Sequence, residues 1–335
     1  LQTVVRDTGA VVPAPDPVVE AVDQYYAEDW KAYGSVDDTF YAAPLGSNSK
    51  SFVWYSPSAF ADAGYEVPQT WEEMIAISDD VVANGGKPWC AGIGSGDATG
   101  WAATDWMEDV MLRVQGPDVY DQWVTNEVKF NDPEVAEVLE TVGTILKNDD
   151  YVNGGIGDVT TIASTTFQDG GLPILDGECF MHRQASFYQA QWPEGTTVAE
   201  DGDVFAFYFP PFADTEGKPV LVAGEFTAAF SDRPEVQAFQ LFLASPDWAN
   251  TKAQTSGPGW VSANLEFDAS LLSSPIDQLV AEQFQDPDAT LRFDASDLMP
   301  GEVGAGSFWR EMTEWIASDK DDAAVLDAIQ ESWPS

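Results

Sequence analysis

The chain has 335 residues, 44% of them hydrophobic, which is natural for two domains and too apolar for disorder. Its 57 acidic against 14 basic side chains leave a formal charge of -43, which opposes phosphate backbones and anionic lipid heads and argues against nucleic acid as a partner. No run of about 18 apolar residues reads as a membrane span, the single histidine, His182, argues against a multi-histidine metal site, and two cysteines, Cys90 and Cys179, allow one disulfide without proving it.

Asp16 and Pro17 open a predicted helix, with Val18, Val22, Tyr25, Tyr26 and Trp30 at helical spacing up to Gly34. Strand-like runs at 39–42 and 51–55 are joined by a predicted linker over 44–50. Thr70 and Glu73 form a capping box; Met74, Ile77 and Val81 make the buried stripe behind it, and Gly85 and Gly86 end that helix. The loop 92–101 is glycine-rich, but it lacks the Lys-Ser/Thr ending of a P-loop and the dinucleotide spacing, so it predicts no nucleotide site. Trp101 and Asp105 stand where this loop enters a helix whose apolar face is Met107, Val110, Met111 and Val114.

Asp132 and Pro133 start a helix burying Val135, Val138, Leu139, Val142, Ile145 and Leu146, and a glycine-rich turn follows at 153–157. Residues 172–175 read as a strand or short helix, 179–184 as an apolar run broken by polar residues, and 204–209 as a strand stopped by Pro210 and Pro211. Gly224 interrupts a strand over 220–226, marking a bend or a close backbone approach. A helix over 234–244 is expected to turn Val236, Phe239 and Leu243 inward. Trp260 sits in a Gly-Pro-Gly turn, and helices are predicted at 275–284 and 322–333. Between them a Gly-rich loop runs into a helix with Phe308, Met312, Trp315 and Ile316 on one apolar face and Trp309 at its margin. Strands and helices alternate throughout, which predicts an α/β protein without internal repeats.

Several segments resemble the extracellular solute-binding proteins of carbohydrate ABC importers, the group that includes the maltose-binding protein. Tyr41 to Leu45 with Val53 to Pro57 is similar to that family's first inter-lobe crossing. Ala63, Gly64, Pro68, Thr70, Trp71 and Glu73 are similar to its "aG…P.TWeE" pattern. Leu298, Met299 and Pro300 with Ser307, Phe308 and Trp309 resemble its late crossing and sugar-stacking tryptophan. The resemblance implies a two-lobe, type II periplasmic-binding-protein-like α/β fold with a hinged inter-lobe ligand cleft. It places residues 1–46 in lobe 1, 47–222 in lobe 2 and 223–300 back in lobe 1, with 301–335 packing on lobe 2 and the hinge. The opening strand–helix–strand portion of the family's first lobe is expected upstream of this chain, together with any lipid anchor.

The implied function is capture of a sugar or oligosaccharide, a glucoside among the candidates, by lobe closure and its delivery to permease subunits. The implied protein is a monomer without cofactor, metal or catalytic residues, held outside the cytoplasm as a cell-surface lipoprotein or in the periplasm. Sugars offer apolar C–H faces and hydroxyl edges, so their sites combine flat aromatic rings with planar polar groups. That chemistry selects Trp309, Trp101, Asp105, Arg183, Gln184, Gly224, Glu225 and Trp260, with Asn48 and Lys50 ranked below them. Each has a plainer reading: Trp309 as core, Asp105 as a helix cap, Arg183 paired with a surface acid, Trp260 wedged in a turn. Extracytoplasmic redox conditions permit a Cys90–Cys179 bridge, which is predicted to tie two cleft-lining loops together. The rival readings are a surface lectin without transport and, at lower rank, a glycoside hydrolase using two of the many carboxylates.

Overall fold

The computed structural model describes residues 1–155 and 157–334, except the side chains of Thr3 and Asp7. Ile156, inside the turn predicted at 153–157, lies outside the described residues. The chain divides into two compact units: residues 1–49 with 222–287, and residues 50–221 with 288–335. Residues 288–300, read from the sequence as part of the first lobe, group with the larger unit.

The smaller unit begins with helices α1 (Gln2–Thr8), α2 (Asp16–Tyr25) and α3 (Glu28–Tyr33), strands β1 (Ser35–Val36) and β2 (Thr39–Phe40), and the long strand β3 (Ala42–Ser49). Two expectations fail here. The single helix predicted from Asp16 to Gly34 is broken at Tyr26, whose extended backbone (φ -131°, ψ 154°) separates α2 from α3, and Pro15 rather than Asp16 takes the N-cap. The predicted linker 44–50 is mostly strand, because backbone pairing along β3 outweighs the poor strand propensity of Pro, Gly, Ser and Asn.

In the larger unit come β4 (Phe52–Tyr55), α4 (Pro57–Ala63), α5 (Trp71–Ala83), β5 (Trp89–Cys90), α6 (Trp101–Val114), α7 (Gly116–Val124), α8 (Pro133–Leu146), β6 (Val152–Asn153), β7 (Met181–Arg183) and β8 (Phe205–Tyr208). Its five-stranded sheet has the order β6-β5-β7-β4-β8. Thr70 caps α5 as predicted, its hydroxyl accepting from the Glu73 amide at 3.2 Å, and every predicted apolar residue of α8 is buried. Cys90 and Cys179 form the predicted disulfide, with Cα atoms 5.7 Å apart, joining β5 to the residues that lead into β7.

Strand β9 (Lys218–Ala228) carries the chain back into the smaller unit, where Val222–Ala228 pairs antiparallel with β3. Helices α9 (Pro234–Leu243), α10 (Pro246–Thr255) and α11 (Pro275–Gln285) complete that unit. On α9 the prediction for Phe239 is wrong: it is 61% exposed, while Gln240 is buried and donates to the carbonyls of Tyr41 and Thr227. Feeding those two carbonyls sets the helix's inner face, and Phe239 is turned out. The larger unit ends with β10 (Ala289–Phe293), α12 (Ala295–Leu298), a π-helical turn (Val303–Phe308), α13 (Trp309–Ala317) and α14 (Asp322–Glu331). Phe308, Met312, Trp315 and Ile316 form the buried face predicted for α13, and no helix of the described residues is long and apolar enough to cross a membrane.

Candidate functional site

Helix α6 is the axis of the site in the larger unit. Gly100, with φ 113°, caps it, and a Cβ there would strike the Trp309 carbonyl, so glycine lets the first turns of α6 and α13 approach. Trp101 and Trp309 occupy those two first turns, and both are half-buried. Trp101 meets Phe167 edge-on at 5.0 Å and Phe187 at 6.0 Å, giving a three-ring patch. The Phe167 amide donates to the Gly94 carbonyl at 2.9 Å, tying this ring's loop to the loop that delivers Trp101.

Below the rings α6 turns polar residues inward. Asp105 is the fifth residue of the helix and cannot cap it; its Oδ1 accepts from Lys50 Nζ at 2.7 Å. Lys50 also pairs with Asp294, and its ammonium lies 5.3 Å from the Trp101 ring centroid. Burial works against the Lys50 charge, but Asp105 and Asp294 overcome it and raise its pKa. Asp294 also loses solvent, yet Lys50 and the donors Ser296 and Asp297 carry its pKa down. Asp105 is raised, burial outweighing Lys50 and Arg183. Asp105, Glu108 and Asp294 bring oxygens within 4.8 Å of one another, a set that could face a cation; the Lys50 ammonium already sits on two of them.

Arg183 does not pair with a surface acid. It is buried, donating to Asp109 at 2.9 Å with Asp105 Oδ2 3.5 Å away, and Asp109 also binds Arg113 and accepts from Ser51 at 2.7 Å. Asp105 Oδ2 and Arg183 Nε are buried without a hydrogen-bond partner among the described residues. Gln184 is buried and turns its Oε1 onto the Ala185 amide at 2.8 Å. The Trp309 indole N–H donates to Ser296 Oγ at 3.3 Å, and Ser296 donates to Asp294 at 2.7 Å. Thus Trp101, Trp309, Lys50, Asp105 and Arg183 converge, whereas the Gln184 side chain bonds only the next residue among the described residues.

The smaller unit holds a second group. At the β3 bulge between Pro44 and Gly46, Glu225 Oε2 and Trp260 Nε1 both crowd the position a Gly46 Cβ would take. Gly224 faces Ser47 across the ladder, and a Cβ on it would meet the Gly46 carbonyl, which is the close backbone approach expected of this glycine. Trp260 is half-buried and Glu225 exposed. Asn48 pairs with Ala223 and leaves its Oδ1 buried without a partner among the described residues.

Sequence reasoning missed Phe167, Phe187, Glu108, Asp109, Asp294 and Ser296. Phe167 lies in a loop already marked by Gly170 and Gly171, which was a usable signal. None attaches to Asp294, one of 57 acidic residues.

Comparison with known proteins bears on the family and the fold. Residues 6–255 match the family described as bacterial extracellular solute-binding protein. The alpha-glucosides-binding periplasmic protein AglE of Rhizobium meliloti is 40% identical over 98% of this chain and 72% of its own length. The osmoprotective compounds-binding protein GgtB of Synechocystis sp. is 39% identical over 97% of this chain and 76% of its own length. Among solved structures, the bacterial solute receptor AcbH superposes with a TM-score of 0.78 at 18% identity, covering 99% of this chain and 81% of that one. The cyclic alpha-maltosyl-1,6-maltose binding protein of Arthrobacter globiformis gives 0.67 at 17% identity, covering 99% and 81%. At such identity these structures speak for the fold, the α/β fold of two-lobe solute-binding proteins. The chain belongs to the family of bacterial extracellular solute-binding proteins.

Proposed function

We propose that this protein is the substrate-binding component of an ABC importer and that its ligand is a neutral sugar of the α-glucoside class, held by binding alone and without turnover. The two compact units serve as its lobes, and the protein works outside the cytoplasmic membrane as a monomer that hands its ligand to permease subunits. The observation that carries the reading is the pair of half-buried tryptophans, Trp101 and Trp309, in adjoining helix first turns directly above a charge-paired polar cluster. Flat rings suit sugar C–H faces, and the paired Lys50, Asp105 and Arg183 below them supply the polar groups that hydroxyl edges need. Glu225, Asn48 and Trp260 supply the same chemistry on the smaller unit. AglE, named for alpha-glucosides, favours an uncharged, hydroxyl-rich ligand.

A thermal-shift panel of maltose, sucrose, trehalose, glucose and galactose tests this reading, because a ligand that binds only the folded state raises Tm. At least one α-glucoside should shift the protein, and Trp309→Ala should weaken that sugar by about tenfold or more, about 1.4 kcal/mol, while the unliganded Tm stays close to wild type. No shift with any sugar, or a collapse of Tm with normal affinity, would overturn it.

A further inference from the structure

Both handles of Trp309 lead back to α6. Its backbone packs on Gly100, the cap of that helix, and its indole N–H rests on Ser296 Oγ. Ser296 is in turn held by Glu108, two turns into α6, whose Oε1 accepts from the Ser296 amide at 3.3 Å and whose Oε2 accepts from the Ala295 amide at 3.0 Å. Glu108 is fully buried. Around it stand Asp105 on the same helix, Lys50 from the residues between β3 and β4, and Asp294 before α12; Asp297 on α12 is exposed and bonds Asp294 through its amide.

Three buried carboxylates therefore crowd the Lys50 ammonium, whose hydrogen bonds go to Asp105 and Asp294, and the second cation, Arg183, stands beside Asp105. Glu108 alone of the three has backbone amides as its only hydrogen-bond donors among the described residues. One turn away on α6, Asp105 Oδ2 is buried with no hydrogen-bond donor among the described residues, the Arg183 guanidinium standing 3.5 Å from it. We infer that Glu108 is a positioning residue for Trp309 that carries a proton at neutral pH, directed at the Asp105 carboxylate, and that losing this proton in alkaline solution loosens the 294–296 turn and displaces the indole. Burial, with the Asp294 and Asp105 charges after it, pushes the Glu108 acid well above the usual carboxylate range, in the direction this requires. Ionisation would place a third negative charge beside Asp105 and Asp294, where Lys50 and Arg183 already serve Asp105, Asp109 and Asp294 and neither hydrogen-bonds Glu108.

The consequence for affinity rests on the sugar-stacking role proposed for Trp309; the displacement of the ring does not, so two readouts separate them. Protein labelled with 5-fluorotryptophan gives a Trp309 resonance in fluorine NMR, assigned with Trp309→Phe. Asp297 is itself pushed up to about 6 by desolvation of its carboxyl and the Asp294 charge, so the window runs from pH 7.5 to 10; there the resonance should move through one transition, which Glu108→Gln abolishes and Asp297→Asn leaves in place. Ser296→Ala should displace the resonance at every pH. In parallel, the affinity for maltose or whichever panel sugar binds should fall about tenfold from the low to the high side of the transition. A titrating resonance with unchanged sugar affinity supports the positioning role and counts against stacking at Trp309. A Trp309 resonance that stays fixed across the range in wild type, or that ignores Ser296→Ala, overturns the inference.

Discussion

Helices α6 and α9, one in each unit, both turn polar residues inward, α6 in addition to its predicted apolar face and α9 in place of a predicted aromatic one. In the larger unit α6 buries Asp105, Glu108, Asp109 and Arg113 alongside Met107, Val110 and Met111. In the smaller unit α9 buries Gln240 and leaves Phe239 and Phe242 exposed. Periodicity locates a helix, but which face turns inward depends on what waits there. For α6 it is a set of opposite charges, Lys50, Arg183 and its own Arg113, that compensates the desolvation of its carboxylates; for α9 it is a pair of strand-end carbonyls that need a donor, which the Gln240 amide supplies. Polar residues turned inward mark the place where chemistry has been assembled, and on α6 they lie under the two tryptophans.

The largest effect expected from breaking this arrangement is at Asp109. Asp109→Ala leaves Arg113 and Arg183 buried without their shared carboxylate, and should cost about 3–5 kcal/mol in urea denaturation. Asp37→Ala, which removes the exposed partner of Arg6 in the smaller unit, should leave the transition where it is. Comparable losses at both sites would mean that the α6 network is no more than a surface-like set of pairs.

Next in size is a pH effect at His182 on β7, another polar group turned inward. Its Nδ1 lies 3.0 Å from the Cys90 carbonyl, and burial lowers its pKa to about 4 from an ordinary 6.5. The unfolded chain therefore binds the proton more readily, so the His182 contribution is intact above about pH 6.5 and is lost as pH falls toward 4, a span worth about 3 kcal/mol. Glu108 acts in the opposite sense, its raised pKa making stability fall as pH rises above the usual carboxylate range. Denaturation at pH 7.5 and pH 4.5 should show a smaller acid loss in His182→Asn than in wild type. Parallel losses would assign the acid limb to other groups.

Much of the fold was legible because its signals are local. The Thr70–Glu73 box, the stripe of α8 and the face of α13 each need only a few neighbouring residues to be read. The margin position of Trp309 on its helix was legible for the same reason, and the structure leaves that ring half-buried. What escaped depends on distant partners. Strand β3 has the composition of a linker and is a strand because β9, far along the chain, pairs with it. Lys50 looked like a marginal ligand residue because its partners Asp105 and Asp294 lie 55 and 244 residues away. Glu108 carries no sequence signal at all; its importance comes from amides 187 and 188 residues downstream.

The smallest effect should come from α9. Phe239→Ser removes an apolar ring that is already mostly in water, so the folded and unfolded states lose nearly the same exposure and stability should change by no more than about 0.5 kcal/mol. Gln240→Leu on the next residue should cost about 1–3 kcal/mol, because the carbonyls of Tyr41 and Thr227 lose a shared donor while the added methyl groups gain little. By hydrophobicity alone the ranking would be the reverse, the Phe change severe and the Gln change stabilising. Urea midpoints of the two variants therefore decide whether α9 is oriented by its polar residue, as the geometry has it, or by its aromatic ones.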